Sequence, residues 1–172
     1  MPRLRPLIDA ETLAGRVRDL GRQITEDHRG HEVVIVTVLK GSFMFAADLV
    51  RAMDLEVRID FLGMRSYEGA ESSGIVQITS DLTQSIEGRR VIVVEDIVDT
   101  GLTMAYLFDV LRTRHPASVQ LASLLHKPSR TRVEVPIDYL GFTVDDAFLV
   151  GYGLDYDQHY RNLPHLAVLE ET

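Results

Sequence analysis

Two runs of apolar, mostly β-branched residues constrain this chain more than any other feature: Val33-Val34-Ile35-Val36-Thr37-Val38-Leu39 and Val91-Ile92-Val93-Val94. A strand with one face in water alternates apolar and polar residues. A strand that is apolar at nearly every position must be covered on both faces, and that is the signature of a parallel sheet sandwiched between helices. Helical patterns fall where such a sheet needs them. Leu13, Val17, Leu20 and Ile24 share a face over residues 9–29, with Asp9 as a cap and Gly30 as a stop. Residues 43–53 and 103–114 also read as helices, the second with Met104, Leu107, Val110 and Leu111 on one face. Residues 57–67, a stretch around Ile75 and Ile78, and residues 119–125, 139–142, 148–152 and 166–169 read as strands. The expectation is an α/β fold with an open, mostly parallel sheet flanked by helices, and 172 residues suit one domain over 1–172. Ligands of such sheets bind beyond the carboxyl ends of the strands. That directs attention to Lys40-Gly41, to residues 95–103 and to the turn after Tyr152.

Composition removes several classes of function. There is no cysteine, so disulfides, thiolate metal sites and thiol nucleophiles are excluded. The 18 Lys and Arg against 26 Asp and Glu leave a net charge of −8, which argues against nucleic acid or an anionic membrane as partner. No apolar run is long enough to span a bilayer, and the start, Met1-Pro2-Arg3-Leu4-Arg5-Pro6, lacks the apolar stretch of a signal peptide, so a cytoplasmic protein is expected. His28 and His31 have no evident third ligand. No Gly-x4-Gly-Lys-Ser/Thr, Gly-x-Ser-x-Gly or His-Glu-x-x-His occurs, and Gly151-Tyr152-Gly153 is only half of a dinucleotide fingerprint.

The chemistry concentrates in Val-Ile-Val-Val-Glu-Asp-Ile-Val-Asp-Thr-Gly-Leu-Thr, residues 91–103. The apolar run delivers Glu95 and Asp96 to a strand end. Adjacent carboxylates repel and can only accept hydrogen bonds, so paired sugar hydroxyls or a hydrated Mg2+ are their natural partners. Asp99, Thr100, Gly101, Leu102 and Thr103 then form a small, turn-prone helix start whose free N–H groups and dipole favour a phosphate. A diol or metal site beside a phosphate site is how a ribose 5-phosphate would be held.

This string resembles the phosphoribosyl-diphosphate motif of type I phosphoribosyltransferases, and other segments resemble the hypoxanthine-guanine branch of that family, bacterial type, over nearly the whole chain. The resemblance implies the type I fold with a small hood formed from the chain ends and a flexible loop. It implies that Glu95 and Asp96 hold the ribose hydroxyls and Mg2+, that residues 99–103 bind the 5-phosphate, and that Asp99 is the general acid/base near purine N7. Val38-Leu39-Lys40-Gly41-Ser42 resembles the loop that binds diphosphate through Lys40 and Gly41, where the peptide before the lysine is often cis. Arg65-Ser66-Tyr67 with Ser72-Ser73-Gly74 resembles the flexible loop, to which Ser66 and Tyr67 would belong. Leu124-Leu125-His126-Lys127 places Lys127 where the family's lysine donates to the 6-oxo group. In the run from Phe148 to Asp155, Phe148 would stack on the purine, the Leu149 backbone would meet its edge and Asp155 would help hold Mg2+. Arg161 matches the arginine that reaches the diphosphate.

The activity so implied is transfer of the 5-phosphoribosyl group from phosphoribosyl diphosphate to hypoxanthine or guanine in purine salvage, with Mg2+ as cofactor. A xanthine-preferring enzyme and a phosphoribosyl-diphosphate-sensing regulator that binds nucleic acid on the same fold are the alternatives. Self-association as a homodimer or homotetramer is expected by analogy.

Overall fold

The computed structural model describes residues 3–67 and 75–170, the side chains of Ser66, Tyr67 and Ile75 excepted. The expected polar loop at 68–74 lies outside the described residues. Strand β1 (Arg3–Ile8) leads into helix α1 (Ala10–Asp27), then β2 (Val33–Leu39), α2 (Phe43–Arg51), β3 (Val57–Tyr67), β4 (Ile75–Ser80), β5 (Arg90–Val98), α3 (Leu102–Arg112) and β6 (Ser118–His126). A 3-10 turn (Pro128–Arg130) precedes β7 (Tyr139–Thr143), β8 (Leu149–Val150) and β9 (Leu166–Glu170).

Six strands form the main sheet in the order β4-β3-β2-β5-β6-β7. The pairs β3/β2, β2/β5, β5/β6 and β6/β7 are parallel, and β4 adds an antiparallel edge. The two apolar runs are its centre. Val33 and Ile35 of β2 face one way, with Ile92 and Val94 of β5, toward α1 and α2. Val34, Val36 and Val38 face the other way, with Val91 and Val93, toward α3. Both faces are therefore dry, as the continuous runs require. Leu13, Val17, Leu20 and Ile24 are the buried stripe of α1. The Asp9 carboxylate caps that helix by accepting from the Thr12 N–H at 2.7 Å, which holds its pKa below the usual carboxylate value.

A second, three-stranded antiparallel sheet, β1-β9-β8, joins the two ends of the chain. Leu149, Leu166 and Val168 pack it into the same core as α1 and α2. Strand β1 has no apolar run or alternation that would announce it. It carries Pro6 and a register shift between Pro6 and Ile8, which an edge strand tolerates because one flank needs no ladder partner. The strand expected over 148–152 is shorter, only Leu149–Val150, because Gly151 and Tyr152 turn to positive φ (98° and 48°) and leave the extended region.

The order of strands decides where a ligand goes. From β2 the chain crosses to β3 on one side, and later returns to place β5 on the other. The crevice at the carboxyl ends of β2 and β5 is thus the topological switch point. Ile92 anchors β5 beneath it and is fully buried. We expect Ile92→Ala to destabilise the protein by about 2–5 kcal/mol through lost burial and a residual cavity, read as a lower urea midpoint with an unchanged slope.

Candidate active site

The switch point brings together residues far apart in sequence. A cavity of about 420 Å3 is lined by Leu39, Lys40 and Gly41 from the end of β2, Glu95 and Asp96 from β5, Thr103 from α3, and Asp155 and Arg161 from the segment before β9. A smaller one of about 100 Å3 adjoins it, sharing Glu95 and Thr103, and is lined by Asp99, Thr100 and Gly101. A larger cavity of about 530 Å3, between His126 and the 131–136 segment, contains none of the expected site residues.

Each part has a local cause. The Leu39-Lys40 peptide is cis. Gly41 follows, and a Cβ there would overlap the Asp96 carboxylate, so only glycine lets the end of β2 close on the acidic pair. Lys40 is exposed and, among the described residues, has no ion-pair partner, which leaves its charge for an anion. The 95–96 pair turns back on its own chain: Glu95 Oε1 accepts from the Asp96 N–H at 2.9 Å, and Asp96 Oδ1 from the Ile97 N–H at 2.7 Å. Glu95 is buried, and burial first, with the neighbouring Asp96 charge second, pushes its pKa well above the usual glutamate range. A cation or hydroxyl donors would relieve both.

That unmet demand is the observation on which Mg2+ can be tested. No group of three or more His, Asp or Glu among the described residues forms a closed metal cage. Mg2+ does not need one, since it commonly takes one or two carboxylates and completes its shell with water and substrate oxygens. Glu95 and Asp96 suit it on those terms. Asp155 lines the same cavity, but its oxygens are already engaged, Oδ1 with Arg161 at 3.0 Å and Oδ2 with the Gln158 N–H at 2.8 Å. Arg161 also donates to the Gly153 carbonyl at 2.7 Å, so its guanidinium is held at the cavity wall.

The phosphate side is built by backbone. Gly101 precedes α3 with φ +85°, and no side chain caps the helix. A Cβ at Gly101 would overlap the Val133 carbonyl. The Leu102 N–H makes only a long bond to the Thr100 hydroxyl, 3.4 Å, and the start of α3 lies beside Thr100 and Thr103, the arrangement that receives a phosphate.

The expected purine residues lie to one side of this cavity and line neither it nor its smaller neighbour. The Lys127 N–H donates to the Val98 carbonyl at 3.0 Å, so Lys127 sits beside Asp99, and its side chain is 12% exposed. Phe148 is half exposed, and its ring meets Tyr156 edge to face at 5.7 Å. Leu149 is buried in the small sheet. Ser66 and Tyr67 are placed by backbone alone, at the end of β3 paired with β4. Their side chains, like residues 68–74, lie outside the described residues.

Three residues were not anticipated. Arg130 donates to the Asp99 carboxylate at 3.0 Å, and Asp146 lies 3.6 Å from Lys127. The signal for Arg130 was Lys127-Pro128-Ser129-Arg130, a proline-started turn that sets residues three apart on one side. Tyr156, the third, carries no such signal. It belongs to a stretch in which Tyr152, Asp157, Gln158 and Tyr160 all take positive φ, a concentration of backbone strain beside the cavity.

Comparison with known proteins agrees with this architecture. The phosphoribosyl transferase domain family matches residues 7–157. The chain belongs to that family. It is 45% identical over 166 residues to a hypoxanthine-guanine phosphoribosyltransferase of Streptococcus pneumoniae, covering 96% of this chain and 92% of that protein. It is also 45% identical to a bifunctional TilS/HprT protein of Listeria monocytogenes, but spans only 26% of that protein's length. A crystal structure of a hypoxanthine-guanine phosphoribosyltransferase from Bacillus anthracis superposes with a TM-score of 0.93 at 41% identity, covering 99% of this chain and all of that one.

The buried Glu95 gives a test with a fixed sign. Its folded-state pKa lies above the unfolded value near 4.5. Its destabilising effect is therefore absent below about pH 4.5 and grows as pH rises toward the folded pKa. In ligand-free protein, Glu95→Gln should leave the melting temperature near that of the parent at pH 4 and raise it at pH 8. Each 1 kcal/mol gained corresponds to about 2–4 °C. Equal melting curves at pH 8 would refute the assignment of a strained, buried carboxylate.

Proposed function

We propose that this protein transfers the 5-phosphoribosyl group of phosphoribosyl diphosphate to a 6-oxopurine, hypoxanthine or guanine, releasing IMP or GMP and diphosphate. The observation that carries the reading is the β2/β5 crevice, where Lys40-Gly41 faces Glu95-Asp96 beside an uncapped helix start. Its family membership and the hypoxanthine-guanine relatives, at 45% identity over most of both chains in the Streptococcus case, support the same reading.

In the reaction, N9 of the base attacks C1′ of the sugar. The bond from C1′ to the diphosphate oxygen breaks, and its electron pair leaves with diphosphate. The proton on N7 passes to Asp99, which acts as general base in this direction and general acid in the reverse. Thr100, Thr103 and the first N–H groups of α3 bind the 5-phosphate. Glu95 and Asp96 accept from the 2′ and 3′ hydroxyls. Lys40, the Gly41 N–H and Arg161 receive the diphosphate. Glu95 and Asp96, with Asp155 nearby, would hold Mg2+, which when bound would supply neutralisation of charge on the leaving group. Lys127 donates to the 6-oxo oxygen, a contact that a 6-amino purine could not accept. Phe148 stacks on the base, and the Leu149 backbone meets its edge.

The small sheet serves as a hood in a single working unit over 1–172, and Ser66 and Tyr67, at the end of β3, lie on the side from which the reacting sugar would be covered. The contacts to C2 of the base run through backbone, so xanthine belongs in the same assay. The net charge of −8 disfavours the nucleic-acid-binding alternative. No helix among the described residues is long and apolar enough to cross a membrane, which fits a cytoplasmic enzyme. Ile59 and Phe61, each 49% exposed on β3, offer an apolar face for self-association as a dimer or tetramer.

A spectrophotometric assay with hypoxanthine, guanine, xanthine and adenine tests the reading; turnover of adenine alone would overturn it. Asp99→Asn is expected to lower kcat by about 10^2 to 10^4 while nucleotide binding persists. Lys127→Ala should weaken binding of 6-oxopurines and leave that of phosphoribosyl diphosphate near normal. Equal losses in calorimetry for both ligands would reject the role of Lys127.

A further inference from the structure

The loop that carries Lys127 is stitched to the loop that carries Asp99. Lys127 N–H bonds the Val98 carbonyl at 3.0 Å, and the N–H groups of Arg132 and Val133 both bond the Thr100 carbonyl, at 2.9 and 3.0 Å. Between these fixed points the 3-10 turn (Pro128–Arg130) is closed by Arg130 N–H to the Lys127 carbonyl at 3.1 Å. The backbones of Asp99 and Arg130 are therefore held relative to each other by bonds that do not involve their side chains.

On that frame Arg130 Nε donates to Asp99 Oδ1 at 3.0 Å. Asp99 Oδ2 takes no hydrogen bond from the described residues, and Asp99 lines the smaller cavity. Arg130 is anchored in turn: its Nη1 lies 3.7 Å from Asp146 Oδ2, while Asp146 Oδ1 lies 3.6 Å from Lys127 Nζ. The order is Asp99, Arg130, Asp146, Lys127, alternating in charge. The Asp99 hydrogen bond, followed by its charge and that of Asp146, raises the Arg130 pKa, so the guanidinium stays charged throughout.

Asp99, Arg130 and Asp146 are about half exposed, with side-chain exposures of 40%, 48% and 50%. Exposed ion pairs contribute little to stability. Geometry is a better reason for this one. A carboxylate that moves a proton needs one oxygen fixed and the other presented, and catalytic bases are commonly oriented by a third group.

We propose that Arg130 is the positioning residue for Asp99, fixing Oδ1 so that Oδ2 faces N7 of the purine. Asp146 stands between Arg130 and Lys127, one oxygen toward each, so the group that reads the 6-oxo oxygen and the group that takes the N7 proton are set by one chain of contacts. This rests on the phosphoribosyl-transfer reading above.

The test is a double-mutant cycle on the full chain, with steady-state kinetics for hypoxanthine and phosphoribosyl diphosphate. Arg130→Met should lower kcat about 10- to 100-fold, the range seen when an orienting partner is removed. The KM for phosphoribosyl diphosphate should stay within about threefold. Arg130→Lys, which keeps the charge and loses the fork, should recover part of the loss. In the Asp99→Asn background, Arg130→Met should change kcat by less than about twofold, because its partner role is already void. A loss in that background as large as in the parent, or an unchanged kcat in the parent, overturns the proposal. A parent protein inactive on both 6-oxopurines overturns the phosphoribosyl-transfer reading and this proposal with it. Should Arg130→Met fail to fold by circular dichroism, Arg130→Gln carries the same cycle.

Discussion

The close approach of Gly41 to Asp96 is the contact on which the rest of the site depends. It joins the carboxyl ends of the two central strands, and it exists because position 41 has no side chain. Through it the cationic end of β2 and the acidic end of β5 share one cavity, although opposite charges on separate surface loops would each be satisfied by water. A second glycine continues the stack: a Cβ at Gly153 would overlap the Gly41 carbonyl, and Gly153 has φ +101°. The segment bearing Asp155 and Arg161 is thereby laid onto the β2 loop. Three pieces of chain about 55 residues apart thus meet at Gly41, with the Asp96 carboxylate against it and Gly153 against its carbonyl.

The energetics of the site run opposite to those of the core beneath it. Ile35, Ile92 and Val94 are buried in apolar surroundings, where each contributes to stability. One residue further along β5, Glu95 is buried with a second carboxylate beside it, and its charged form is disfavoured. The same strand therefore changes from stabilising to destabilising at its end. Such a reversal is expected where a ligand completes the structure, because the cation or hydroxyls that arrive relieve a strain already present. The four non-glycine residues with positive φ between Tyr152 and Tyr160 have the same character, tension held in place by Arg161 and by the packing of Tyr152.

What the sequence makes legible follows from how local the cause is. The central strands are readable because burial on both faces leaves no polar positions, and β2 spans the expected Val33–Leu39. Helix α1 is readable from one apolar stripe and a cap. Strand β1 is not, because its partner is β9 at the opposite end of the chain and its own residues are mostly exposed. At the site, residues 95–103 are legible as one string because a single strand–loop–helix unit presents them. The Arg130–Asp99 and Asp146–Lys127 pairs are not, since each depends on how two loops at the sheet's end are bonded together, and no local pattern records that. Phe148 shows the limit in another way: its ring meets the edge-to-face partner Tyr156, which sits in a segment shaped by unusual φ values.

Net charge and local charge answer different questions. An excess of eight acidic residues sets the long-range field, which opposes the approach of polyanions. A small, highly anionic substrate is governed by what lies within a Debye length, about 8–10 Å. Within the cavity that means Lys40, Arg161 and a helix start, with Asp155 already neutralised by Arg161. The remaining acid, Glu95 with Asp96, comes from the neighbouring strand β5. Drawing the two signs from adjacent strands sets cationic and acidic groups in one cavity whatever the net charge, and a chain with the opposite overall charge could build the same pairing.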